Sequence, residues 1–427
     1  MSIEPIIQGM TTSDLTLERN LRLFPRYKAA SSVLPWMPVF FLFFIERVTL
    51  ADAVLLGSAY YFSVFLLEVP SGYCSDRLGR RPTLILASVM TVMACSTFLF
   101  ANSFGALVSA QILLAAGIAF QSGSDSALLY DSLCALDRQQ EYTERETVAQ
   151  KWSMTALACS CLLGGALGLI DLRLAYLVAL LAAVVTVIQC VMFAEPPVDD
   201  DAKAAGFIDQ MRNTFGYFSH PLLGWMLGFF VIGYSLEHMP YEFYQPYLKL
   251  LGETSMLSWL ADSSAPMVSG IVISVSMFGG AVGAAVSQRL IDRVGLRALL
   301  LASISVQVII VAGLSLVLHP FMLVLVMFRN FSMSMARGPM LGAIAPHVPS
   351  AQRATFLSVL SLAGRAAFSV TLVILSVFVV GEDVLNWPAL SQLLASSALL
   401  GVLMLVLLFF WSARVRNQFR LDSRKSD

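Results

Sequence analysis

Long apolar runs alternate along this chain with short clusters of charge. Residues 53–69 carry Glu68 as their single charge, and residues 83–104 carry none. Each run is long enough to cross a bilayer as a helix, which takes about 20 apolar residues. The same pattern predicts twelve spans: 31–49, 53–74, 82–100, 104–133, 152–170, 174–193, 222–248, 267–290, 296–318, 321–339, 354–380 and 387–413. Between them fall a charged loop at 137–151, an extended loop at 252–266, and an acidic linker containing Asp199, Asp200 and Asp201 with an amphipathic stretch at 207–218. The predicted organisation is a polar segment 1–30, a six-helix bundle 31–194, a linker 195–218, a second six-helix bundle 219–413 and a tail 414–427.

Composition sharpens the class. Of 427 residues 57% are hydrophobic and 13% charged, with mean hydropathy +0.75. Soluble proteins carry about 25% charged residues, so the expected fold class is an all-α membrane protein. With the N-terminus inside, Lys and Arg fall on the inner side: the N-terminal cluster (Arg19, Arg22, Arg26, Lys28), Arg138, Arg145, Lys151, Lys203, Arg212, Arg293, Arg297, Arg353 and the tail. The outer side receives Arg47, Arg173 and Lys249. That asymmetry predicts both termini in the cytoplasm. No basic tract suggests nucleic acid, no removable signal peptide is expected, and the six cysteines show no metal-ligand spacing. Neither a cofactor nor a metal is expected.

The cluster between the second and third spans reads Gly72, Asp76, Arg77, Gly79, Arg80, Arg81, followed by Pro82. It is predicted as a tight turn, with Pro82 in the first turn of the next helix and Asp76 able to cap it. About half a chain later Asp292, Arg293, Gly295 and Arg297 repeat Asp76, Arg77, Gly79 and Arg81, with Gln288 and Leu296 in place of Gly72 and Arg80. The echo falls between the eighth and ninth spans, where a six-plus-six duplication would put it. The first cluster resembles, without departure, the Gly-x-x-x-Asp-Arg-x-Gly-Arg-Arg signature of the major facilitator superfamily, and the resemblance extends to a bacterial drug or metabolite type. It implies two pseudo-symmetric six-helix bundles that open alternately, with this loop as a conformational gate on the cytoplasmic side. Glu68 and Asp131 are expected to join its charge lattice.

Ionisable groups inside a bilayer are costly and default to functional candidates. In the fourth span Gln121 and Asp125 are four apart and share a helix face. Asp125 is read equally as a coupling site or a structural partner. In the seventh span Glu237, Tyr241 and Tyr244 form one stripe and His238, Glu242 and Gln245 a neighbouring one, with Pro240 and Pro246 permitting a bend. Glu237 with His238 is the favoured protonation pair, whereas Glu242 reads as nearer the outer side. Arg329 and Arg365 sit at mid-depth, the latter on a stripe with Ser358, Ser361 and Ser369. Each either pairs with a buried acid or recognises an anionic ligand through its planar fork. Arg289 and Arg337 read as anchors. Trp36, Phe40, Gln121, Tyr241 and Gln245 are candidate cavity walls.

Two marks seen in parts of the family are missing: an Arg in the outer half of the fourth span, near Gln111, and a proline beside the small residues Gly164, Gly165 and Gly168 of the fifth. Gly164 and Gly168 offer a face for close helix approach. No Gly-Lys-Ser/Thr phosphate loop supports direct ATP drive, and no enzyme activity is expected. The leading expectation is a monomeric secondary transporter in a bacterial inner membrane. It exports a small amphipathic or anionic molecule against protons. Proton-coupled uptake of an organic anion is the alternative, and a non-transporting membrane sensor or scaffold the alternative of another class.

Overall fold

The computed structural model describes residues 12–197, 215–253, 265–344, 346–348, 350–378 and 385–415. The Asp199 to Asp201 run, most of the stretch 207–218, most of the loop 252–266 and most of the tail lie outside them. Among the described residues fifteen helices follow one another, and no strand occurs. They are α1 (Thr12–Ser31), α2 (Phe40–Ile45), α3 (Leu50–Leu78), α4 (Arg80–Phe100), α5 (Phe104–Gln121), α6 (Ser124–Ala135), α7 (Tyr142–Gly168) and α8 (Leu172–Met192). Then come α9 (Pro221–Gly252), α10 (Ala265–Val294), α11 (Leu296–Leu316), α12 (Phe321–Met327), α13 (Arg329–Ile344), α14 (Ser350–Val377) and α15 (Trp387–Arg414). Nine apolar stretches on these helices, among the described residues, are long enough to cross a membrane; that on α15 has mean hydropathy 2.7, yet only 33% of it is buried. Large side chains such as Phe100, Phe278 and Leu399 stand fully outward, which suits a helix face solvated by lipid.

Five expected elements differ. The first span is not one helix: α1 ends at Ser31 and α2 begins at Phe40, with Pro35 and Pro38 in the gap removing backbone donors. The polar N-terminal stretch is itself helical. Leu17, Leu21, Phe24 and Lys28 recur on its inner face, while Arg19, Arg22 and Arg26 point outward. The fourth span divides into α5 and α6 at Gly123, which has φ 77°. Gln121 and Asp125 therefore do not share a helix face. The tenth divides into α12 and α13 at Phe328. Finally, the charged loop 137–151 is mostly helix: a 3₁₀ turn at Gln139–Glu141 leads directly into α7.

The chain packs as two units. The first comprises Met1–Trp36, Ser63–Leu163 and Arg173–Ala205; the second comprises Met37–Phe62, Gly164–Leu172 and Gly206–Asp427. In the first, Leu21, Phe24 and Tyr27 of α1 pack on Leu128, Leu129 and Leu133 of α6, with Leu84, Ala149, Cys190 and Phe193 completing the core. Asn20 crosses this core, its amide donating to Ser132 Oγ and the Ala194 carbonyl and accepting from the Ala194 N–H. In the second, the Trp225 indole donates to the Leu408 carbonyl at 3.0 Å. Gly165 and Gly168 lie so close to Pro266 that a Cβ on either would come within 2.7 Å of it. The small-residue face is thus used, by Gly165 together with Gly168.

A 3₁₀ turn beside α7 carries a pH-sensitive charge cluster. Arg138 donates to both Glu141 oxygens at 2.6 and 2.7 Å and to Glu18 at 3.0 Å, and Arg145 donates to Glu141 at 2.8 Å. Hydrogen bonding to Arg138, with help from Arg145, lowers the Glu141 pKa from its ordinary value of 4.5 to about 2. A depressed carboxylate stabilises the fold above its unfolded pKa, and that stability drains away as pH falls through the folded value. Melting curves of the wild type are expected to lose this contribution between pH 4.5 and about 2, with Glu141→Gln flattening that part of the profile.

Candidate functional site

In the first unit the signature corner is built around one residue. Helix α3 runs to Leu78 and α4 begins at Arg80, so Gly79 alone makes the turn, at φ 102° and ψ 163°. Only glycine occupies that region without strain. The cap is not Asp76, which lies inside α3, but Glu195 from beyond α8. Its two oxygens accept from the Arg80 N–H at 2.6 Å and the Arg81 N–H at 2.8 Å. A carboxylate there satisfies two of the orphan donors of α4 and faces the positive end of its dipole. Arg80 then binds three side chains: Asp131 at 3.0 Å, Asp76 at 2.6 Å and Ser75 at 2.9 Å. Arg81 reaches the Val191 carbonyl, and the Arg77 guanidinium lies 5.3 Å from the Tyr73 ring. Asp131 therefore meets the corner as anticipated. Glu68 is half-buried, its carbonyl accepting from Ser71, and Gly72 stands in open space. Gly295 repeats the Gly79 geometry at φ 78° and ψ 155°, also immediately before a helix.

Deeper in the same unit Asp125 opens α6 and meets Lys28 of α1 at 2.7 Å. Its other oxygen accepts from the Ser126 N–H at 2.7 Å. Glu146 of α7 stands 4.0 Å from Lys28 and accepts from Ser126 Oγ at 3.3 Å. One half-buried cation thus faces two acids. Gln121 ends α5, and Trp36 is buried near the end of the unit's first segment. The charge pattern of the sequence marks neither Lys28 nor Glu146 as a site residue. The signal was there for Lys28, which recurs with Leu17, Leu21 and Phe24 at helical spacing on the buried face of α1.

The second unit holds a cavity of about 460 Å³ between α9, α13 and α14. Glu237, His238, Tyr234, Ser334, Arg337, Ser361 and Arg365 supply its polar lining, and Phe229, Phe230, Met333, Met340, Leu341, Leu357 and Leu360 its apolar lining. Arg365 Nε donates to Ser361 Oγ at 3.4 Å, one turn back on the same stripe. His238 is fixed by a 2.8 Å contact from Nδ1 to the Tyr234 carbonyl and by a ring stacked 3.9 Å from Tyr234. Arg329 lies behind, donating at 3.3 Å to the Glu237 main-chain carbonyl, its guanidinium 5.0 Å from the Tyr241 ring centre. It makes no ion pair with the Glu237 carboxylate among the described residues. Arg337, read from sequence as an anchor, is exposed and is also part of the cavity lining.

Gln245 serves elsewhere in this unit, at the gap between α1 and α2. Fully buried, its Oε1 accepts from the Phe41 and Leu42 N–H groups at 3.0 and 3.3 Å, and its Nε2 donates to the Met37 carbonyl at 3.1 Å. Tyr244 bonds Ser269, which donates to the Pro38 carbonyl, and Tyr241 stacks on Phe40 at 5.5 Å. Glu242 is buried: Tyr61 donates to it at 3.0 Å, while Ser58 and Ser369 bond one another at 2.9 Å. Thus the seventh-span stripe splits, Glu237 and His238 to the cavity and Gln245 to this lattice. Gln245→Leu strands three backbone groups at about 1–3 kcal/mol each. Its melting temperature is expected to fall far more than that of Ser391→Ala, which loses one hydrogen bond to the Ser315 carbonyl.

A helical protein with apolar faces turned outward, braced charged corners and an internal polar cavity is a multi-pass membrane transporter in class. The chain belongs to the Major Facilitator Superfamily, whose sequence profile matches residues 27–372. Its fold is similar to that of the nucleoside transporter NupG, with TM-score 0.72 and 11% identity over 94% of this chain and 99% of that one. It is also similar to a bacterial homologue of the human lysosomal transporter Spinster, in an inward-facing and unoccupied conformation (0.65, 18%, 97% and 99%). A third similar structure is the peptide transporter POT in complex with sulfate (0.67, 12%, 96% of each chain). No curated protein matches the sequence.

Proposed function

We propose that this protein is a proton-coupled exporter of small amphipathic or anionic molecules, working by alternating access as a monomer with both termini in the cytoplasm of a bacterial inner membrane. The observation that carries this reading is the second-unit cavity, where Arg337, Arg365, Glu237 and His238 face a wall of aromatic and methionine side chains. Arg365 takes the anionic part of the substrate in this reading, with Arg329 and Tyr241 as the support behind it. Trp36, Phe40, Gln121 and Gln245 serve as walls and pins, and not as direct ligands. Glu237, His238 and Asp125 are the coupling candidates, since a carboxylate away from water can carry a proton through the membrane only if its environment changes during the cycle.

The corner of Gly72, Asp76, Arg77, Gly79, Arg80 and Arg81, with Glu68 and Asp131, is the conformational gate. Its Arg80 pairs are the bonds that would break and reform as the protein cycles. Proteoliposomes with an imposed pH gradient test the whole reading. Accumulation of an amphipathic anion that follows the gradient supports it, and the sign of that dependence gives the direction. Counterflow without any response to the gradient would remove the protons and leave a facilitator.

A further inference from the structure

The cavity holds opposite charges that the protein does not spend on itself. Among the described residues the Glu237 carboxylate makes no hydrogen bond and no ion pair, and neither does the Arg337 guanidinium, although both line the cavity. Arg329 and Arg337 lie within electrostatic reach of Glu237. By contrast, the Lys28 ammonium and the Asp125 carboxylate of the first unit are matched at 2.7 Å. The apolar lining of the same cavity includes Phe230, Met333, Met340 and Leu357.

From this we infer that the substrate is a zwitterion on an apolar or aromatic body, its ammonium on Glu237 and its carboxylate on Arg337 and Arg365. This rests on the transport reading above and narrows it. A simple anion satisfies Arg337 but leaves Glu237 without a cation. A simple amine satisfies Glu237 and leaves the Arg337 guanidinium facing it. Only a ligand bearing both charges meets both groups, with Arg365, Ser334 and Ser361 able to donate to its carboxylate. A ligand's ammonium on Glu237 also occupies the group on which a proton would sit, so the two compete for one carboxylate.

The experiment is ligand-dependent melting of the full-length protein in nanodiscs, since a ligand that binds the folded state raises its melting temperature. The probes share a phenyl body. Phenylalanine and 4-(aminomethyl)phenylacetate are zwitterions with adjacent and separated charges, 3-phenylpropanoate is an anion, and phenethylamine is a cation. At least one zwitterion is expected to bind about tenfold more tightly than either singly charged probe, the scale of one charge-assisted hydrogen bond. Glu237→Gln should reduce that zwitterion to the affinity of the anion while leaving the anion unchanged. Arg337→Gln should reduce it toward the amine. Melting without ligand checks that both variants fold, and Glu237→Asp, which keeps the charge, should retain the zwitterion's advantage. Equal affinity of anion and zwitterion, an equal loss of both in Glu237→Gln, or no shift from any probe at millimolar concentration overturns the inference. Counterflow of the zwitterion that binds is measured separately: binding without flux sinks the transport reading and leaves the substrate class standing.

Discussion

Gly79→Ala is expected to be among the most damaging single-atom additions in the first unit. The backbone at φ 102° and ψ 163° excludes a side chain at about 1–3 kcal/mol. A Cβ there would also sit 2.5 Å from Glu195 Oε1, displacing the carboxylate that caps α4. Loss of a cap adds about 1–2 kcal/mol. Gly295→Ala is the internal control. It has the same class of backbone geometry at φ 78°, but nothing lies within 4 Å of its Cβ, so it carries the strain without the collision. Thermal melting should therefore rank Gly79→Ala well below Gly295→Ala. In a Glu195→Ala background the collision is gone, and adding Gly79→Ala should cost no more than Gly295→Ala does. Such a non-additive cycle is the signature of direct contact. Additive losses would mean that Glu195 does not cap α4 in the membrane.

This corner also marks where the sequence is informative and where it stops. Gly79 and its echo Gly295 could be read as turn residues because a charged cluster interrupted two apolar runs. The repeat extends to the dihedral angles. The cap could not be read: Glu195 is 115 residues from Arg80, in a stretch that looked like a linker, while Asp76 stood one turn away and looked sufficient. Spans were legible because a bilayer imposes a length and a hydrophobicity on every crossing segment. Breaks within spans were not, because a membrane helix tolerates interruption wherever a neighbour can satisfy the freed backbone. Gln245 does this for α2 from more than 200 residues away. The site shows the same division. Arg365 and Ser361 followed from helical spacing on α14, and Glu237 from its depth. Arg337 reads as an anchor because it lies close to the end of its span, and only the fold brings it into one cavity lining with Glu237.

Lys28 and Asp125 form a buried pair whose removal separates structure from coupling. Their side chains are 14% and 8% exposed, and they lie 2.7 Å apart. Breaking such a pair by removing one partner costs about 3–5 kcal/mol, because the charge left behind is buried without compensation. The two halves of the pair should not be equivalent. Lys28→Met strands Asp125 and also deprives Glu146, 4.0 Å away, of its cation. Asp125→Asn leaves Lys28 with Glu146 and a neutral acceptor. Melting should therefore fall further in Lys28→Met than in Asp125→Asn. The double variant Lys28→Met with Asp125→Leu should recover much of the loss, as apolar replacements of buried ion pairs do. That recovered protein decides the role of Asp125. If the carboxylate carries the proton, the double variant exchanges substrate in counterflow but no longer accumulates it against a gradient. If Asp125 only holds α1 against α6, both activities survive, and the coupling site must be sought at Glu237.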